Sequence, residues 1–170
     1  MEFMFDTVYD RKAMTVMAKG LRKTVRKKHS RRSHIFGWIV IVLALLLSWP
    51  SAEGVEKKDV VTWIVILVLI LTQVLEDRLN GWIASKRMLP GTDRATATFS
   101  EDGYYSETAM GNTEWKYENI SALAETKDFF VFVFGQNHAQ VYDKHTLTGG
   151  TAEEFRTFVQ EKTEKKMTVI

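Results

Sequence analysis

The sequence predicts an α+β membrane protein: a transmembrane helical hairpin carrying a small antiparallel β sandwich or barrel with one C-terminal helix. Three observations predict it. Ser33–Ala52 and Val60–Leu75 contain no Asp, Glu, Lys or Arg. From Arg94 to Tyr142, short alternating runs are separated by turn residues. After Thr151 the apolar positions change to helical spacing.

The chain divides into residues 1–34, 35–90 and 91–170. In the first part, Glu2-Phe3-Met4-Phe5-Asp6 alternates polar and apolar, a strand pattern that can add an edge strand to the C-terminal sheet. Met14, Met17, Ala18, Leu21 and Val25 then recur at helical spacing. They predict a basic amphipathic helix from about Val8 to the first apolar run, its start marked by a capping box of Thr7 and Asp10. Lys19, Arg22, Lys23, Arg26, Lys27, Lys28, Arg31 and Arg32 form a basic run with no acid among them. Such a run fixes membrane topology, with the apolar stripe packed on the soluble domain, or lies on an anionic leaflet. These eight side chains are the candidate anionic-lipid contacts.

The hairpin follows, with spans about 35–50 and 60–82. A helix rises ~1.5 Å per residue, so ~17–25 apolar residues cross the hydrocarbon core. The first run is long enough. The second is completed only if Leu79 and Trp82 extend its lipid-facing stripe. Both runs are apolar all round, unlike the striped helices of a soluble protein. A cleaved signal peptide fits poorly, because its basic leader would be very long and Ser51-Ala52 after Pro50 make a poor cleavage site. Basic flanks stay cytoplasmic, so both termini are expected in the cytoplasm and residues 51–59 outside. Trp38, Trp49, Trp63 and Trp82 fall near the expected helix ends and are candidate interface anchors. Pro50 and Pro90 fall at boundaries. Glu76, Asp77 and Arg78 read as a solvated helix end, and Thr72 and Gln73 as hydrogen-bonding groups between two helices.

Residues 91–170 make one small domain. The expected strands are Arg94–Ser100, Tyr104–Thr108, Thr113–Tyr117, Ile120–Glu125, Phe129–Phe134 and His138–Tyr142. FFVFVF at Phe129–Phe134 is the most buried of them. Thr151 with Glu154 opens the helix through a capping box, and Phe155, Phe158 and Val159 form its apolar face. The tail, Lys162–Ile170, is expected to fray.

Charge separates the halves. Residues 1–90 carry 15 basic and 8 acidic side chains, whereas residues 91–170 carry 8 and 13. An acidic soluble domain argues against a nucleic-acid partner. There is no cysteine for a disulfide or a thiolate zinc site. His29 and His34 lie in the basic leader, and His138 and His145 have only Asp143 nearby as a further ligand, too little for a metal. Ser100, Ser106 and Ser121 lack a nucleophile-elbow setting. Gly149-Gly150 reads as a flexible entry to the last helix rather than an anion cradle. No catalytic residue, cofactor or metal is expected, and the chain is not expected to be an enzyme.

The order of these segments resembles the YcxB-like proteins of bacteria. The N-terminal strand and basic helix, the tract WKYENISALAETKDFFVFVF from Trp115 to Phe134, and VYDKHTL from Val141 to Leu147 followed by TAEEFRTFV carry the resemblance. It implies two membrane spans with a C-terminal pleckstrin-homology-like (PH-like) domain, a sandwich of seven strands and one helix, in the bacterial inner membrane. The family has aliphatic-aliphatic-Pro-Lys at the last strand, whereas Tyr142-Asp143 precede Lys144 here.

The resulting expectation is a membrane-anchored, non-enzymatic module that presents its cytoplasmic domain to a protein or lipid partner. The alternative is an immunity protein that protects the producing bacterium from a membrane-active or envelope-directed toxin through the spans and residues 51–59. Membrane lipids, a protein partner such as a toxin, and a second copy of the chain are the partners these readings allow.

Overall fold

The computed structural model describes residues 2–48 and 54–170. Trp49, Pro50 and the linker residues Ser51–Glu53 lie outside them. The chain begins with a strand, β1 (Phe3–Val8), then two helices, α1 (Arg11–Lys23) and α2 (Lys27–Leu47). Two more helices follow, α3 (Lys57–Val74) and α4 (Glu76–Lys86). The remainder is β2 (Arg94–Phe99), β3 (Tyr104–Thr108), β4 (Gly111–Trp115), β5 (Ala122–Glu125), β6 (Phe129–Val133), β7 (Ala139–Asp143), α5 (Ala152–Thr163) and β8 (Met167–Val169).

Two four-stranded sheets form the β layer, one ordered β1-β2-β3-β4 and the other β7-β6-β5-β8. The N-terminal segment is the expected edge strand: β1 pairs antiparallel with β2 from Phe3↔Phe99 to Val8↔Arg94. It also ties the sheets together. Met4 exchanges backbone hydrogen bonds with Thr148, and the Thr7 hydroxyl accepts from the Asp143 N–H at 3.1 Å. Thr7 is therefore not part of a capping box. Asp10 alone caps α1, accepting from the Ala13 N–H at 2.8 Å.

Three differences from the sequence reading have clear causes. The helix expected to run unbroken from Val8 breaks at Thr24–Arg26, where the Thr24 N–H and hydroxyl both donate to the Gly20 carbonyl and close α1. The second apolar run is not one helix to residue 82. α3 and α4 meet at a bend of 75°. The bend lets α4 lie against α1, with Gly81 so close that a Cβ there would stand 2.7 Å from the Thr15 backbone. Leu79 and Trp82 consequently belong to α4. The C-terminal tail does not fray either. β8 pairs parallel with β5, Leu123 opposite Met167, and the Met167 N–H donates to Gln160 Oε1 at 2.7 Å.

The main core lies between the sheets and α5. Phe155 is fully buried there, its ring centroid 4.7 Å from Phe5, 4.9 Å from Phe99 and 5.0 Å from Phe130. A second core fills the space between α1 and the outer face of β6 and β7, with Ala13 and Leu21 against Phe129, Val131 and Val141. β6 is buried on both faces, which is why it reads as an unbroken apolar run rather than an alternating one.

The helices α2 and α3 are different. α2 buries only Ser30 and Ile41, and α3 only Asp59 and Ile66. α2 is long and apolar enough to cross a membrane, and the bent pair α3–α4 reaches that standard only when taken together.

Candidate functional site

The break between α1 and α2 places the basic run around a junction of four elements. Arg22, near the end of α1, reaches α4. Its Nε and Nη2 donate to the Asp77 carboxylate at 2.6 and 2.5 Å, and Glu76 is 3.7 Å from Nε. The neighbouring carboxylates hold the Arg22 guanidinium above its ordinary pKa, with the Asp77 hydrogen bond the largest cause. His34 Nε2 lies 2.6 Å from Glu76 Oε2. The acids at the bend are thus not a solvated helix end. They receive an arginine from α1 and a histidine from α2.

Arg26 occupies the break itself. Its guanidinium donates to the Gln136 carbonyl and to Asn137 Oδ1, both at 2.5 Å, which fastens the break to the turn between β6 and β7. Lys19 is half-buried, and Lys23, Lys27, Lys28, Arg31 and Arg32 are exposed. The eight basic residues therefore divide: Arg22 and Arg26 fasten elements together, Arg26 through Nε and Nη2 with Nη1 uncommitted among the described residues, and the other six make no ion pair there. Of the candidate anchors, Trp38 on α2, Trp63 on α3 and Trp82 on α4 are 48, 39 and 46% exposed. Trp49 lies outside the described residues.

Between α1, the start of α2, α4 and the β6–β7 turn lies a cavity of about 670 Å³. Arg22, Arg26, His29 and Arg87 bring positive or titratable groups to it, Glu76 brings a carboxylate that Arg22 and His34 already face, Ser30, Asn80 and Asn137 bring neutral polar groups, and Met14, Met17 and Ile83 are apolar. Arg87 has no side-chain partner among the described residues. The arrangement suits an anion with an apolar extension. Sequence reasoning identified Arg26 and the basic run but not Arg87, whose role depends on the bend that swings α4 under α1.

Other candidates resolve into structural roles. Lys144 donates to Glu125 Oε2 at 2.5 Å and to the Thr126 carbonyl, and sits 4.4 Å from the Phe130 ring centroid. Arg156 of α5 holds the other Glu125 oxygen at 2.8 Å. This buried cluster ties β5, α5 and the segment after β7. Burial pushes the Glu125 carboxyl up, but the Arg156 and Lys144 hydrogen bonds outweigh it and hold the pKa below the ordinary value. Gly149, at φ 87°, passes so close to β1 that a Cβ would meet the Glu2 carbonyl at 2.0 Å. The following helix start is closed by its own capping box, Glu154 accepting from the Thr151 N–H at 2.7 Å. The histidines do not converge. His145 Nε2 lies 3.3 Å from Asp128, and His138 packs against Trp115 and Phe134. Gln73 fits over Gly37 of α2, its amide buried without a hydrogen-bond partner among the described residues.

Residues 99–159 match the family model of the YcxB-like proteins. The YcxB-like segment runs from the end of β2 into α5 and includes two of the tracts that carried the resemblance. It covers Trp115, the whole of β6 and the Glu125–Lys144–Arg156 cluster. Helices α1–α4 and β1 lie outside it. No curated protein matches the chain.

Proposed function

We propose that the protein is a membrane-anchored, non-enzymatic interaction module. α2 and α3 cross the cytoplasmic membrane as a hairpin, both termini are cytoplasmic, and the β sandwich presents its surface to a partner at the inner leaflet. The observation that carries this reading is the solvent-facing apolar surface of α2, whose most apolar 18-residue window is only 11% buried. Apolar surface on that scale is not left in water by a soluble protein. The charge pattern supports the orientation, since Lys23, Lys27, Lys28, Arg31 and Arg32 are exposed at the base of α2. Strands β1–β7 with α5 agree in number with the PH-like sandwich that the resemblance implies, with β8 as an addition.

The experiment uses the absence of native cysteine. Lys58→Cys and Lys166→Cys, both at exposed positions, are expected to react with a membrane-impermeant thiol reagent from opposite sides. The protein is expected to stay in the membrane pellet after carbonate extraction. Labelling from the same side, or release by carbonate, overturns the reading.

A further inference from the structure

The inner face of the first sheet tapers. One cross-strand row reads Phe99, Tyr104, Trp115, three large rings that fill the space between the sheets. The next row on the same face reads Ala97, Ser106, Thr113. Small side chains cannot reach the opposite sheet, and beside Ser106 and Thr113 of this row lies a second cavity of about 510 Å³. Its size falls within the range of small-molecule sites. Four methionines line it, Met14 and Met17 of α1, Met88 and Met110, beside the neutral polar Thr92, Thr108, Asn112 and Gln140. Unbranched methionines adapt to chains of irregular shape. One polar group in the wall is unused: the Trp115 indole Nε1 is buried and has no acceptor among the described residues.

This slot and the cavity at the α1–α4 junction share Met14, Met17, His138 and Ala139. One end of the combined cleft is therefore cationic, at Arg26 and Arg87, and the other holds no Asp, Glu, Lys or Arg and is lined by four methionines. The cationic end lies beside the first turn of α2. Charge at one end and a methionine-lined slot at the other match a ligand with one anionic head and one flexible tail.

We propose that the two cavities form one binding site for a single-chain anionic lipid drawn from the inner leaflet, with its head at Arg87 and Arg26 and its acyl chain in the methionine-lined slot. The membrane as the source rests on the anchoring proposed above, whereas the site itself does not. Partial burial lowers the His138 pKa, so at neutral pH the shared wall adds no charge that would repel a tail.

The test is native mass spectrometry of the full chain released from phosphatidylcholine nanodiscs containing a minor fraction of lysophosphatidic acid or of monoacylglycerol. A charge-assisted pair with arginine is worth about tenfold in affinity or more. The lysophosphatidic-acid adduct is expected to form at least ~10-fold more readily than the uncharged one. Arg87→Gln, whose side chain holds no other element, is expected to erase that preference. Thr113→Phe, on the edge strand β4 where folding tolerates change, is expected to block the slot and remove the adduct while the melting temperature stays unchanged. Equal adducts from the two lipids, full adduct in both variants, or displacement by inorganic phosphate alone overturns the proposal. A chain that carbonate strips from membranes yet binds dispersed lysophosphatidic acid in the same Arg87-dependent way overturns the anchoring and supports the site.

Discussion

β6 and the Ile35–Leu47 part of α2 are both apolar on every side, yet they occupy opposite environments. Each residue of β6 is buried, Phe130 and Phe132 toward α5 and Phe129, Val131 and Val133 toward α1. α2 exposes Ile35, Ile39, Leu43 and Leu46, which nothing among the described residues covers. The sandwich removes apolar surface from water by folding, at roughly 25 cal/mol per Å². In the proposed anchoring the helices do so by entering another medium. The comparison teaches that an apolar run marks a demand for burial, while the identity of the burying partner depends on length and on what else the chain offers.

The largest expected effect separates the two regions directly. Phe155→Ala removes a ring in contact with Phe3, Phe5, Phe99 and Phe130. It should destabilise the sandwich by about 3–5 kcal/mol in a denaturant melt in detergent micelles. Leu46→Ala, 66% exposed on α2, should change the same melt by less than about 0.5 kcal/mol. Comparable losses from the two would mean that α2 packs on the sandwich and that the contrast is wrong.

The second effect concerns the ion cluster on which the sandwich closes. Glu125→Ala leaves Lys144 buried with no carboxylate and should cost about 3 kcal/mol. The pH dependence has a definite sign. The folded Glu125 pKa is below its ordinary value of 4.5, so its contribution is present above 4.5 and is lost as pH falls through the folded value. Acid titration of the melt should show this loss in the native chain and not in Glu125→Gln. A Glu125→Gln chain with an unchanged acid slope would show that other carboxylates set it.

Much of this was legible in the sequence, for reasons that can be traced to particular residues. Alternation located β2 and β3 to within a residue, because one face of each is buried and one is wet. Thr151 and Glu154 announced α5 through a local hydrogen-bond pair. β8 was not legible, because a three-residue strand pairing parallel with β5 has no local pattern and depends on where α5 ends. The bend at Leu75 was missed for a similar reason. The charged Glu76-Asp77-Arg78 that follow mark the end of the apolar run but not a change of direction, and only the approach of Gly81 to Thr15 shows why α4 turns away. The combined cleft was the least legible feature. Its charge comes from α1, α2 and α4 and its slot from a row of small residues, parts that are distant in sequence and meet only in the fold.

The bend also asks to which region α4 belongs. Its contacts assign it to the sandwich side, through the Gly81 approach and the Arg22–Asp77 pair. Gly81→Val should overpack the α1–α4 contact and cost about 1–3 kcal/mol. Hydrogen exchange should quicken in α1 and α4 together while α3 stays protected. Faster exchange in α3 and α4 with α1 unaffected would instead make α4 the end of the hairpin.

The smallest effect lies where the strand β1 hands over to α1. Asp10 accepts a hydrogen bond from the Ala13 N–H, which would otherwise be one of the unsatisfied donors of the first helical turn. Asp10→Ala should cost about 1 kcal/mol, and Asp10→Asn, which retains an accepting oxygen, much less. Thr7 provides the internal comparison, because its hydroxyl serves the Asp143 N–H across the two sheets rather than α1. Exchange of the Ala13 amide should therefore quicken in Asp10→Ala and stay slow in Thr7→Val, whereas the Asp143 amide should respond in the opposite way. If both substitutions loosened Ala13, the cap would be shared between Thr7 and Asp10, and the start of α1 would be coupled to the seam between the sheets rather than independent of it.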